Sequence, residues 1–421
     1  MTVGSSNSLY AIELSSTAGY LNVTGLTFSN NQLGGIKAIY VSATPSLVIR
    51  SSVFQSIGME VGDSLIFSGP LSEFQINNVN FTDNSFVGDV ESSDWLINID
   101  SFTIQQDRLL QMNNVRVTNS NVALFRLDRI QNYSNITSSF TITNITYSSC
   151  YFSQPETLIR FTGMEMTTPF TIAMSNIVFT DIEFFLTGNL MKFEQQLSNA
   201  VTVTGLSITN TTNSHIDTES ANALNTLLPV KVLISGLTSS DVNCGFRSFI
   251  LLGEGSELTV TSSSIRRFYT LGEGAFLTTN ARNSKAIINN STIQYNSASE
   301  GGVFLAENGG SIVVTSCSIL NNFAIVSGVI KTNNNGVFLM SSTVLSSNYA
   351  LSIPISEIFD VTFVPTITGC DIFSNENLSK DTVITSIENT ARCDKLCWLS
   401  TTYKEYILNN TGLLDRTSTE F

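Results

Sequence analysis

Val23-Thr24-Gly25-Leu26-Thr27-Phe28-Ser29-Asn30-Asn31 is the stretch that decides the fold. Apolar Val23, Leu26 and Phe28 alternate with polar Thr24 and Thr27, the two-residue period of a strand, and Gly25 bends the run into two short strands. The same unit returns at Ile76 to Asn84, Ile288 to Asn296, Val314 to Asn322 and Ile367 to Asn375. Anchored on the last inward apolar residue, the series reads Phe28, Phe54, Phe81, Val117, Tyr147, Phe179, Ile208, Ser239, Ile265, Ile293, Ile319, Val344 and Ile372. Successive anchors stand 25 to 36 residues apart. A repeat of this length marks one supersecondary unit stacked upon itself.

Each strand reads as three to five residues. No two-residue Asn-Gly or Asp-Gly hairpin joins one unit to the next, and no amphipathic helix of twelve residues precedes the last forty. Parallel pairing through more chain of the same kind satisfies both facts. The crossover shows its core at Gly274-Ala275-Phe276, Gly302-Val303-Phe304 and Gly328-Val329-Ile330. The expected fold is all-β: a right-handed parallel β-helix of about 13–14 coils over residues 1–390, with residues 391–421 as a small C-terminal cap or the start of a following segment. A β-sandwich with ordinary surface turns is the competing reading, but sandwiches do not keep register over so many units.

A second inward ladder runs Leu26, Ser52, Val79, Val115, Ile145, Ile177, Leu206, Leu237, Ser263, Ser291, Cys317, Ser342, Cys370. It passes from bulky to small, so the cross-section is expected to change toward the C-terminus. Asn31, Asn84, Asn296, Asn322 and Asn375 fall three residues after their anchors. They are expected at left-handed turns, with their amides hydrogen-bonded along the stack.

The Phe-x-x-Asn box at Phe28 to Asn31 and Phe81 to Asn84, relaxed to Ile-x-x-Asn at Ile293, Ile319 and Ile372, pairs with a Gly-Gly box at Gly301-Gly302-Val303-Phe304. Together they resemble the repeats of polymorphic outer-membrane-protein surface proteins. They are also similar to the pectin-lyase-like β-helix regions of protist surface proteins. The resemblance covers most of the chain, is weakest between about residues 100 and 250, and implies architecture and a cell-surface setting more than an activity.

Charged residues make up 13% of the chain, about half the usual share. The net charge is −14 and the only adjacent basic pair is Arg266-Arg267, so phosphate neutralisation, and with it nucleic acid, is not expected. No apolar run approaches a membrane span, and no basic-then-apolar leader opens the chain. Because residue 1 leads directly into Leu9-Tyr10-Ala11-Ile12, the chain reads as a segment of a longer protein with an uncapped start, a strand edge open to end-to-end association.

Ten Asn-x-Ser/Thr sequons occur, at Asn22, Asn80, Asn132, Asn135, Asn144, Asn210, Asn289, Asn290, Asn377 and Asn409. On a low-charge repeat they point to an extracellular glycoprotein. Six cysteines are too scattered for a disulfide scaffold. Cys317 and Cys370 share a ladder two coils apart, beyond bridging distance, and read as small core residues. Cys393 and Cys397 are expected to bridge each other or Cys370.

The largest insertion, residues 84 to 109, carries Asp89, Glu91, Asp94, Trp95, Asp100 and Asp107, and Asp94 with Trp95 is the candidate ligand-contact loop, an exposed aromatic for a sugar. His215 is the only histidine, in a polar turn, and no nucleophile motif, dinucleotide fingerprint or paired-carboxylate box of the pectin-degrading enzymes occurs. No catalytic residue, metal or cofactor is therefore assigned. The expected function is an extracellular structural or adhesive surface glycoprotein, a candidate subunit of a filament, that associates end to end or with other surface proteins. The alternative is a carbohydrate-binding or polysaccharide-cleaving β-helix. A bacterial autotransported passenger is a third reading.

Overall fold

The computed structural model describes residues 2–377 except 4–9, 15–18, 30–31, 34–36, 42–45, 61–63, 88–94, 104–109, 133–137, 153–155, 163, 167–169, 186–187, 195–199, 214–222, 228, 247, 300, 326–327, 351–355, 359–365 and 374–375, and beyond them residues 392–393. Among the described residues every regular element is a strand. The chain divides into two compact units, Met1–Ile234 and Ser235–Phe421. Each is a parallel β-solenoid.

In the first unit, one sheet stacks Tyr20–Thr24 with Thr27–Ser29, then Ser46–Gln55, Glu73–Thr82, Leu110–Thr118, Ser138–Phe152, Phe170–Phe184 and Ala200–Asn213. Every pairing is parallel and the anchors lie in register, Phe28 on Phe54, Phe54 on Phe81, and so on to Phe179 on Ile208. A second parallel sheet runs from Tyr10–Leu14 through Lys37–Val41, Ser64–Ser68, Trp95–Ile99, Ala123–Leu127, Glu156–Phe161 and Gly188–Phe193 to Leu224–Thr226. Thr2–Val3 pairs antiparallel on the free edge of Tyr10–Leu14. Two residues of that edge are thus occupied, whereas Tyr20–Thr24 of the other sheet is paired only with Ser46–Gln55 among the described residues.

The core between the sheets is a continuous aromatic and aliphatic column. The Phe54 and Phe81 rings stack at 5.2 Å, and Phe161 and Phe193 at 5.4 Å with their planes 3° apart. Each such fully buried side chain contributes about 2–3 kcal/mol relative to exposure. The strands are longer than expected, up to fifteen residues in Ser138–Phe152 and Phe170–Phe184.

The second unit repeats the plan with finer pieces. Glu257–Thr261, Lys285–Asn289, Ser311–Thr315 and Val337–Ser341 stack in one ladder, each followed by a three-residue strand such as Thr292–Gln294 or Ser318–Leu320. A facing sheet stacks Ile250–Leu252, Leu277–Thr279, Phe304–Ala306, Ile330–Thr332 and Ser356–Ile358. The long strands of the first unit's middle coils are here split into pairs, as in its first coil. Gly301 shows what the Gly-Gly box does: its φ is +56°, and a Cβ there would lie 2.7 Å from Phe304 O and 3.0 Å from Lys331 Cβ. Beyond residue 377 only Arg392–Cys393 is described, paired on Asp371–Ile372, so the expected cap at 391–421 lies almost wholly outside the described residues.

Two left-handed corners recur along the coils. The first stands three before the anchor: Gly25, Ser51, Asn78, Asn114, Asn144, Asn176 and Gly205 in the first unit, and Gly236, Ser262, Asn290, Ser316, Ser342 and Gly369 in the second, with φ from +48° to +70°. The second stands two after it, as at Asp83, Asn119, Asp181, Tyr295, Asn321 and Ser347. Two expectations are corrected by this frame. The anchor of the penultimate coil is Leu345, not Val344: Leu345 is fully buried and in register with Ile319 and Ile372, and the ladder residue before it is Thr343, not Ser342. Asn84, Asn296 and Asn322 are not the left-handed residues. They follow them and point inward, at most 1% exposed. With the anchor moved to Leu345, Asn348 joins the same ladder at 0% exposure. Asn31 and Asn375 lie outside the described residues.

The small polar residues of the second ladder have a physical role. A left-handed corner turns the next N–H away from the strand ladder, and a buried unpaired N–H is costly. The next coil supplies the acceptor: Leu26 N donates to Ser52 Oγ, Leu237 N to Ser263 Oγ, Ser263 N to Ser291 Oγ and Cys317 N to Thr343 Oγ1, at 3.1–3.3 Å. Each hydroxyl then donates to the carbonyl two residues before it, as Ser291 does to Asn289 at 2.8 Å. The amides work likewise at the other corner, Ile57 N to Asn84 Oδ1, Phe268 N to Asn296 Oδ1, Asn296 N to Asn322 Oδ1 and Asn322 N to Asn348 Oδ1.

Candidate functional site: a charged ladder on the first unit

Three copies of one short pattern place charge on the second sheet of the first unit: Leu124-Phe125-Arg126-Leu127-Asp128, Leu158-Ile159-Arg160-Phe161-Thr162 and Leu190-Met191-Lys192-Phe193-Glu194. Parallel register stacks Asn98, Arg126, Arg160, Lys192 and Asn225 in one line. Like charges stacked this closely repel unless countercharge is interleaved. For Arg126 and Lys192 the residue two further on supplies it, and for Arg160 it is Glu194 of the next coil. Arg126 Nε lies 2.5 Å from Asp128 Oδ1, Arg160 Nη2 2.6 Å from Glu194 Oε2, and Lys192 Nζ 2.7 Å from Glu194 Oε1. Thr162 Oγ1 donates to Asp128 Oδ1 at 2.7 Å. At the ladder's ends the Asn98 and Asn225 Oδ1 atoms are buried and accept no hydrogen bond.

The ladder's chemistry follows from this pairing. Burial acts to raise the Glu194 pKa, but the hydrogen bond and charge of Lys192 and the Arg160 guanidinium outweigh it and hold the carboxyl below its ordinary value. Glu194 is therefore an acceptor locked in its ionised form. A glycoside-cleaving acid needs the opposite shift. The ladder fits recognition or mechanical locking of neighbouring coils. The sequence shows its signal, the thirty-odd-residue return of an apolar-apolar-basic-apolar-polar run, though the search for catalytic boxes passes over it.

The expected sites fall as follows. Trp95 is fully buried at the head of Trp95–Ile99, so it offers no face to a sugar, and Asp94 lies outside the described residues. The exposed aromatics among the described residues include Tyr20 and Tyr295, and Tyr151, 48% exposed, and Phe185, 55% exposed, on adjacent coils, with Glu183 in register beside Tyr151. Of the insertion's other acids, Asp100 pairs with Arg129 at 3.6 Å. His215, Asp89, Glu91 and Asp107 lie outside the described residues.

Cys370 is buried, its Sγ donates to Thr368 O, and burial is the main cause that raises its pKa. Nothing is described of the Cys393 side chain or of Cys397. Cys317 is likewise buried, and Cys150 is pushed up to about 12 by burial.

Among the sequons, Asn22, Asn80, Asn144, Asn210 and Asn290 are exposed and Asn289 is half-buried. The side chains of Asn132 and Asn377, and all of Asn135 and Asn409, lie outside the described residues. Asn144 and Asn210 belong to exposed corner ladders: Asn144 Nδ2 donates to Asn113 Oδ1 at 3.1 Å, Asn176 Nδ2 to Asn144 Oδ1 at 3.0 Å, and Asn210 Nδ2 to Asp181 Oδ1 at 2.7 Å.

No family model matches the chain, and no curated protein and no solved structure is significantly similar to it.

Proposed function

We propose that this chain is an extracellular structural or adhesive surface glycoprotein whose work is done by its repetitive outer surface. The observation that carries the reading is the placement of sequon asparagines, Asn144, Asn210 and Asn290, on exposed left-handed corners of a solenoid with few charges. A hydroxyl- and amide-rich face of this kind suits a glycan coat and weak, repeated lateral contacts. We take its repeats to be of the polymorphic outer-membrane-protein, pectin-lyase-like kind, on the strength of the Phe-x-x-Asn and Gly-Gly boxes alone. Association is end to end or with other surface proteins. Electron microscopy of native material tests the reading. Filaments or surface arrays are expected, and freely soluble single particles that capture no other surface protein would overturn it.

A second reading, carbohydrate binding, gains support from Tyr151 and Phe185, which stand on adjacent coils with Glu183 beside them, an arrangement that stacks on a sugar ring and accepts from its hydroxyls. Glycan-array binding that disappears in Tyr151→Ala and Phe185→Ala would favour it. Silence of the intact protein on the array would remove it.

A further inference from the structure

We infer that, of the two overlapping sequons Asn289-Asn290-Ser291 and Asn290-Ser291-Thr292, Asn290 carries the N-linked glycan and Asn289 does not. The inference rests on the glycoprotein reading and adds to it the choice of attachment atom. In the transfer, the anomeric carbon of an oligosaccharide leaves a lipid-linked pyrophosphate and bonds to the asparagine Nδ2. The C–O bond to pyrophosphate breaks, the amide gives up one proton, and the lipid pyrophosphate departs.

The two sequons differ in sequence only in their hydroxyl residue, Ser291 for Asn289 and Thr292 for Asn290, and the coil separates the asparagines further. Lys285–Asn289 alternates outward and inward side chains, which sets Asn289 on the sheet face, half-buried, with Thr261 and Thr315 in register on the coils either side. The serine of its sequon is turned the other way: Ser291 is 3% exposed, its Oγ accepts from Ser263 N at 3.2 Å and donates to Asn289 O at 2.8 Å. That hydroxyl is part of the corner's hydrogen bonding and is closed off from any outside group. Asn290 is the left-handed corner itself, φ +48°, exposed, and its side-chain amide has no partner among the described residues. The hydroxyl of its own sequon, Thr292, stands on the outer face of Thr292–Gln294. A glycan on Asn290 therefore leaves the coil through open solvent. One on Asn289 would have to grow out between two stacked threonines. The closed coil thus leaves Asn290 the more open of the two.

The test is peptide mapping of the native protein, with glycans released enzymatically in heavy-oxygen water so that each occupied asparagine becomes a labelled aspartate. Label at Asn290 with none at Asn289 is expected. Label at Asn289, with or without Asn290, would overturn the assignment. Glycans at other sequons with neither Asn289 nor Asn290 labelled would overturn it too and leave the glycoprotein reading standing. No label at any of the ten sequons would overturn both. Because threonine and serine sequons differ in efficiency, a secreted Thr292→Ser variant is mapped in parallel. Retention of the label at Asn290 is expected, and its transfer to Asn289 would show that the hydroxyl type, not the coil, makes the choice.

Discussion

Asn322→Ala tests the central claim about how the second unit is held. Asn322 is fully buried and links three coils. Its Oδ1 accepts from Asn296 N at 3.0 Å and Asn296 Nδ2 at 2.9 Å, while its Nδ2 donates to Asn348 Oδ1 at 2.9 Å and Ile293 O at 3.2 Å. Alanine strands the Asn296 N–H and an Asn296 amide hydrogen in a closed core. A buried donor left unpaired costs about 1–3 kcal/mol, so the pair costs about 2–6 kcal/mol, toward the low end where a water molecule enters the space. The control is Asn308→Ala, which removes an amide ladder of the same distances, to Asn280 at 2.9 Å and Asn334 at 3.1 Å, but on the surface. Water replaces those bonds, and the loss should stay near the left-handed strain of about 1 kcal/mol that alanine meets at φ +52°. Urea unfolding followed by circular dichroism, with both variants read on the same transition, gives the difference. Equal losses in the two variants would refute the argument that the buried amides cap corner N–H groups that have no other acceptor.

Four further outcomes are expected. Gly301→Ala should destabilise by more than about 1 kcal/mol, because it adds a clash with Phe304 O to left-handed strain, whereas Gly25→Ala, with nothing within 4 Å, should show the strain alone at about 1 kcal/mol; equal effects would undercut the steric account. Phe81→Ala, which empties a fully buried site against the Phe54 ring, should cost about 3–5 kcal/mol in denaturant titrations of the first unit, and a loss under about 1 kcal/mol would speak against a close-packed column. Glu194 has a lowered folded pKa, so its ion pairs add stability above the unfolded value of about 4.3 and lose it as pH falls through the folded value. The gap in unfolding midpoint between the wild type and Glu194→Gln should therefore be open at neutral pH and close at strongly acid pH, and a gap that widens on acidification would reverse the assignment. Cys150, pushed up to about 12, should resist maleimide in the native protein at mildly alkaline pH and react in denaturant; rapid native labelling would contradict its burial.

What the sequence determined by itself was the repeat. Period-two alternation around anchors such as Phe28, Phe81 and Ile293 is a local property of neighbouring residues, and its return fixes parallel stacking because nothing else buries one face of so many short strands. The stacking of Asn amides on one ladder was also legible, since identical polar residues at a fixed phase have to meet each other, but their inward direction was not. What the sequence left open depends on three-dimensional register. Val344 and Leu345 are both apolar, and only pairing of Leu345 with Ile319 and Ile372 shows which one faces in and brings Asn348 into the amide ladder. Trp95 reads as loop aromatic in the sequence, yet the strand pairing of Trp95 with Ser64 and Ala123 draws it into the core. The charged ladder joins Arg126, Arg160, Lys192 and Glu194 across more than sixty residues of chain, a proximity that exists only because the coils close. The choice between Asn289 and Asn290 rests on which side of one corner each amide stands, and a corner is a feature of the folded backbone.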